Sequence, residues 1–174
     1  SQTRRISVDS VGNQSNGYSS EPIFSESGRY VVFHSGASNL VAGDTNGVHD
    51  TFMYDLQTNA MERVSVGSGG SQASANSWGG VASSDGSRVL FESTAGNLVG
   101  DDSNGVTDVF LRDRQSDTTT RISVASDGVQ GDGITRKRWI SGDGRFVVIE
   151  SLATNLVPGD TNNQRDIFLL DLQS

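Results

Sequence analysis

The stretch SSDGSRVLFES (residues 83–93) sets an Asp-Gly pair directly ahead of an alternating apolar run. Asp-Gly is a preferred tight-turn pair, because glycine accepts positive φ and aspartate bonds its own backbone. The run after it has the period of two that marks a half-buried strand. The same pattern is written again as SGDGRFVVIES (residues 141–151) and, with Ser27 in place of the aspartate, as SESGRYVVFHS (residues 25–35). Each occurrence lies 58 residues from the next.

Extending the alignment outward from these hairpins divides the chain without a gap into repeats 1–58, 59–116 and 117–174. Arg5/Arg63/Arg121, Gln14/Gln72/Gln130, Asn39/Asn97/Asn155 and Phe52/Phe110/Phe168 recur at equivalent positions. Within the first repeat the pattern predicts four strands: RRISV (residues 4–8), EPIFS (21–25), RYVVFHS (29–35) and DTFMYDL (50–56). Helical periodicity is nearly absent. Four antiparallel strands in repeats of more than forty residues point to an all-β chain built from β-propeller blades, three of them in a single 174-residue unit.

The hairpins SSDGSRVLF and SGDGRFVVI, followed by DVFLRDRQS and DIFLLDLQS, resemble the TolB-type β-propeller repeat. In that repeat an Asp-Gly hairpin joins the two innermost strands and a D-(apolar)-F-x-x-D stretch forms the third. The resemblance covers all three repeats and speaks to fold, since propellers host many unrelated activities. Ser27 departs from the motif. The unit is also longer than the family's usual repeat, with the extra length before the first strand and in an Asp-rich loop.

The strand order along the chain starts on a fourth-strand segment (residues 4–8) and finishes on a third strand (166–172). Three blades are fewer than the four to eight of typical propellers. The expectation is therefore a six-bladed ring made by a C2 homodimer, each chain lending its N-terminal strand to its partner's last blade and so covering exposed edges. A three-repeat piece of a longer propeller, or a designed one, is the alternative.

Composition narrows the partners. The formal charge of −8 argues against nucleic acid or anionic membrane and favours cations. The chain has no Cys, so disulfide scaffolds and thiolate chemistry are out and either redox compartment is open. No apolar span is long enough for a membrane helix. A bacterial-type secreted or periplasmic location is expected.

The loop GDTNGVHD (residues 43–50) returns as DDSNGVTD (101–108) and GDTNNQRD (159–166). Asp44, Asn46, the Val48 carbonyl and Asp50 alternate as the first ligands of a calcium loop do, and so do Asp102, Asn104, Val106 and Asp108, then Asp160, Asn162, Gln164 and Asp166. A plain turn closed by Asp and Asn is the competing reading. Gly47 becomes Asn163 in the third copy while every oxygen donor persists, which favours a cation, calcium first.

His34 and His49 occur only in the first repeat, and nothing resembles a nucleophile elbow, so no catalysis is expected. Repeat symmetry breaks most sharply at TRKRW (residues 135–139). Trp78, Arg136, Lys137, Arg138 and Trp139 are candidates for a pocket that takes an anion or a sugar at the top of the channel, against the alternative of charge compensation with Trp139 filling an ordinary inter-blade position. Arg5, Arg63 and Arg121 are expected to pair with Asp55, Asp113 and Asp171. The overall expectation is a non-enzymatic, calcium-binding, self-assembling propeller module, with a lectin-like propeller as the rival.

Overall fold

The computed structural model describes residues 2–173, and among them all regular structure is β. The first sheet joins β1 (Ser19–Phe24), β2 (Tyr30–Ser35), β3 (Asp50–Asp55) and β4 (Met61–Arg63) in that order, each antiparallel to the next. The second repeats the meander with β5 (Ser77–Ala82), β6 (Arg88–Ser93), β7 (Asp108–Asp113) and β8 (Thr118–Arg121). The third holds β9 (Thr135–Ile140), β10 (Phe146–Ser151) and β11 (Asp166–Asp171). These are propeller blades, as the repeat pattern predicts.

One predicted strand does not form. Residues 4–8 make only a single bridge, Val8 to Gln14, and no ladder. The fourth strands β4 and β8 exist as partners of β3 and β7. Residues 4–8 have no third strand beside them, and an unpaired strand leaves its backbone groups to water.

Each first strand carries a register shift at the same place, Ser20/Ile23, Trp78/Val81 and Val148/Ile149 across the respective pair. At the bulge Glu21 and Gly79 take positive φ of 52° and 46°. A Cβ on Gly79 would lie 2.5 Å from Lys137 Nζ and 3.0 Å from Glu21 Oε2. The inner strands of all three blades thus approach one another around a common centre, and glycine makes that approach possible.

The blades stack through apolar faces set by the alternation. Tyr30, Val32, Met53 and Val64 of the first blade pack on Ala82 and Val89 of the second. Val81, Leu90, Val109, Leu111 and Ile122 of the second pack on Ile140, Val147 and Ile149 of the third. Phe52, Phe91 and Phe110 are fully buried, and Phe91 stacks on Phe110 at 5.6 Å. Each such side chain contributes about 1.5–3 kcal/mol by leaving water.

The Asp-Gly turn reading holds in detail. Asp85 Oδ1 accepts from Ser87 N at 2.9 Å and from Ser83 Oγ at 2.7 Å, and Gly86 takes φ of 71°. Where Ser27 replaces the aspartate, Gly28 keeps φ of 71° and Ser27 Oγ donates to the Ser84 carbonyl at 2.6 Å, tying the turn to the next blade. Gly86 also faces a neighbour: a Cβ there would lie 2.5 Å from the Tyr30 ring, whereas at Gly28 it would meet nothing within 4 Å. Gly86→Ala is therefore expected to cost more than the 1–2 kcal/mol (roughly) of left-handed strain alone, and Gly28→Ala only that strain. Denaturant unfolding of the two variants checks the difference.

Candidate functional site

The first acidic loop runs between β2 and β3 and folds onto the next repeat. Asn46 Oδ1 accepts from Val48 N at 3.3 Å, and its Nδ2 donates to Asp50 Oδ2 at 2.8 Å and to the Ala73 carbonyl at 3.2 Å. Opposite the carboxylates stands Arg63, with Nη1 3.0 Å from Asp44 Oδ1 and 3.5 Å from Asp50 Oδ2. The same Nη1 donates to Gln72 Oε1 at 3.0 Å, and that oxygen also accepts from Thr45 N and Asn46 N. Ser65 Oγ donates to Asp50 Oδ1 at 2.6 Å. The oxygens thus converge on a guanidinium of the same chain.

The second loop repeats the arrangement with changed partners. Arg121 Nη2 lies 3.2 Å from Asp101 Oδ2, and Nη1 lies 3.6 Å from Asp102 Oδ1. Gln130 Nε2 donates to Asp102 Oδ1 at 2.9 Å and to Asp108 Oδ2 at 3.3 Å. Ser123 Oγ donates to Asp108 Oδ1 at 2.5 Å, and Val106 N to Asn104 Oδ1 at 3.0 Å. The guanidinium groups are not fully satisfied: Nε of Arg63 and of Arg121, with Arg121 Nη1, lack hydrogen-bond partners.

In the third loop Asn162 Nδ2 donates to Asp166 Oδ2 at 3.0 Å, and Gln164 N to Asn162 Oδ1 at 2.6 Å. Among the described residues no arginine or glutamine stands opposite Asp160. Asn163 has φ of 53°, matching 68° at Gly47 and 66° at Gly105. The position keeps its left-handed backbone, which asparagine tolerates, so glycine was replaced without the turn being given up.

Burial and the adjacent Asp50 raise the Asp44 carboxyl above its usual range, with Arg63 pulling it back. Burial likewise raises Asp108. Among the described residues no cluster of three His, Cys, Asp or Glu side chains is arranged to hold a metal ion. The expected pairing of the recurrent arginines with Asp55, Asp113 and Asp171 is not found. Those carboxylates face Arg29 at 2.7 Å, Arg88 at 3.6 Å and Arg145 at 2.6 Å; Arg88 sits directly across from Asp113, and Arg29 and Arg145 stand one residue before the ladder partners Tyr30 and Phe146. The side-chain bond from Arg29 holds Asp55 far below the usual carboxylate range.

Beside the inner strands, Trp78, Arg136, Lys137 and Arg138 line a cavity of about 530 Å³ with Glu21 and Glu92. The basic residues are largely compensated. Buried Glu92 takes Arg136 Nη1 at 3.1 Å and Lys137 Nζ at 3.5 Å, and Glu150 takes Arg165 Nη1 at 2.7 Å together with Arg138. Trp139 does not join them. It lies half-exposed on the outer face of the third blade, opposite Val148, whose other neighbour is Leu169. His34, at the position of Glu92 and Glu150, is buried, and burial lowers its pKa. Its Nδ1 accepts from Gly79 N at 3.3 Å.

Gln72 and Gln130, which recur and are expected to tie neighbouring blades together or touch the acidic loop, do both, and recurrent asparagines hold them. Asn39, Asn97 and Asn155 each donate Nδ2 to the carbonyl of Gln14, Gln72 and Gln130, at 3.0, 2.9 and 2.8 Å. The asparagine aims the glutamine, and in the second and third repeats the glutamine reaches the acidic loop of the preceding blade.

No protein-family model matches the chain, and no curated protein does. Solved structures do. The β-propeller domain of the trilobed protease from Pyrococcus furiosus, described as having an open velcro topology, aligns at TM-score 0.53 and 15% identity over 91% of this chain and 41% of its own. A putative TolB from Agrobacterium tumefaciens aligns at 0.50 and 15% identity over 90% of this chain and 46% of its own. A prolyl endopeptidase aligns at 0.51 and 14% identity over 91% of this chain and 21% of its own. The chain spans less than half the length of each. At these identities the likeness concerns architecture alone, and it agrees with the blades described above: the chain is three blades of a β-propeller, TolB-like in fold.

Proposed function

We propose that the chain is a non-enzymatic propeller module, periplasmic or extracellular, that stacks against a second copy to close a ring and serves as a binding scaffold. One observation carries this reading. The outer face of the third blade holds Ile167 and Leu169, 65% and 70% exposed, at the positions where Val109 and Leu111 of the second blade are 0% and 8% exposed against the third. Phe146 and Trp139 extend the same open face. At the other end, Phe24 is 59% exposed where its counterparts Ala82 and Ile140 are buried. An open apolar face on the third blade, with Phe24 exposed at the opposite end, favours association through these surfaces. Light scattering at micromolar concentration is expected to give twice the chain mass of 18.4 kDa, and a monomeric mass sinks the proposal.

The acidic loops serve this scaffold by seating arginine from the following repeat. Calcium is the competing cation for the same oxygens. A melting temperature equal in millimolar calcium and in EDTA is expected for guanidinium-filled loops, whereas a rise of several degrees in calcium assigns the loops to metal. The cavity where Trp78 stands beside ion-paired Arg136 and Lys137 has the size of a small-ligand site.

A further inference from the structure

We infer that Asp160 and Asp166 form a socket for the Arg5 and Gln14 side chains of a second copy of this chain, so that ring closure is specified by a charged lock as well as by apolar faces. The inference rests on the self-association proposed above and names its contacts.

The junction between consecutive blades is built twice inside the molecule. In each case an Arg and a Gln from the following repeat meet an acidic loop: Arg63 on Asp44 and Asp50 with Gln72 on the Thr45 and Asn46 amides, then Arg121 on Asp101 and Asp102 with Gln130 on Asp102 and Asp108. The two halves of a third such junction are present but apart. Arg5 and Gln14 are exposed and already bonded to each other. Gln14 is held by Asn39 as its counterparts are held, and the hairpin before it has the same closure, Gly12 N to Asp9 O at 3.1 Å against Gly70 N to Gly67 O and Gly128 N to Ala125 O at 2.9 Å. The donor half thus has the Arg–Gln bond and hairpin that fill the first socket. Preorganisation of this kind lowers the entropy cost of docking. Asp160 and Asp166, the acceptor half, have no cation opposite them among the described residues.

Three further observations agree on the register. Arg63 lies opposite Phe52 and Arg121 opposite Phe110 in the outer ladders, which sets Arg5 opposite Phe168 on the open edge of β11. No fourth strand of the described residues lies beside β11, and residues 3–5 correspond to β4, so the docked segment completes a fourth strand by β-augmentation. The Tyr30 ring covers Gly86 and Arg88 covers Gly144, while Gly28 is uncovered and Phe146, at the same repeat position as Tyr30 and Arg88, is exposed. In the closed ring Phe146 of one copy covers Gly28 of the other. A second copy carries this repeat's own Arg, Gln and glycine at the positions that all of these contacts require.

The test is complementation in trans. Arg5→Asp and Asp160→Arg are each expected to weaken self-association by roughly 100-fold or more, since each homodimer then holds two like-charged sockets. Mixing the two variants is expected to restore dimer, because the heterodimer has one native and one reversed pair. Sedimentation velocity of each variant and of the mixture reads the outcome. Arg5 is exposed, so folding of the variants is checked by an unchanged β-type circular dichroism spectrum. A dimeric wild type whose variants stay dimeric overturns the socket and leaves face stacking standing. Variants that dissociate and do not recombine also overturn it, and a monomeric wild type overturns both proposals together.

Discussion

Arg63→Ala is expected to lower the unfolding free energy by about 3–5 kcal/mol, the cost of removing one partner of a buried ion pair. Asp44 is only 4% exposed at its side chain and Asp50 is fully buried, so water cannot take the place of the guanidinium. The carboxyl of Asp44 is already raised by burial and by Asp50, and losing Arg63 raises it further. A group with a raised folded-state pKa binds more protons folded than unfolded, so its penalty is absent below the unfolded value of 3.8 and grows as pH rises through the folded one. The deficit of Arg63→Ala should therefore shrink as the solution is acidified from pH 7 toward that range. Urea unfolding at several pH values measures it. A variant that unfolds with wild-type stability at pH 7 would show that the loop does not depend on its arginine.

Leu169→Asp is expected to abolish self-association while leaving the single chain folded. Its side chain is 70% exposed, and surface changes of this kind stay within about 0.5 kcal/mol. In the closed ring the same position is covered, and a lone carboxylate buried at an apolar interface costs several kcal/mol. Leu111→Asp supplies the internal comparison. Leu111 occupies the same place in the second blade and packs on the third, so there the substitution should unfold the chain. Light scattering together with thermal melting separates the two results. A dimer that survives Leu169→Asp would show that the ring closes through another surface.

Much of the fold was legible because its signals are local. Asp85 and Gly86 close their turn with bonds inside the turn, and the alternation of residues 88–93 decides by itself which side chains share a face. The arginine in the acidic loops was not legible, for a complementary reason. Asp44, Asn46 and Asp50 recur as oxygen donors suited to a cation, and recurrence does not say whether that cation is a metal or a side chain. Arg63 recurs equally and lies 13 residues beyond Asp50, on the other side of a β-hairpin, where spacing carries no information about contact. The expected partners, Asp55 for Arg63 and Asp113 for Arg121, pair instead with Arg29, one residue before Asp55's ladder partner Tyr30, and with Arg88, directly opposite Asp113.

Trp139 shows the same division. Its repeat position predicts an inter-blade place like that of Val81, and the strand register agrees. Burial of that place requires a further blade packed on the third, and in this chain Trp139 is half-exposed. The amino-acid sequence alone determined the repeat, the strands, the turns and the face of each side chain, because these arise from spacing and backbone chemistry within a few residues. Only the tertiary structure decided that the first two acidic loops hold arginine, that asparagine aims Gln72 and Gln130 across a blade boundary, and which faces stay open, because those depend on distances between segments remote along the chain.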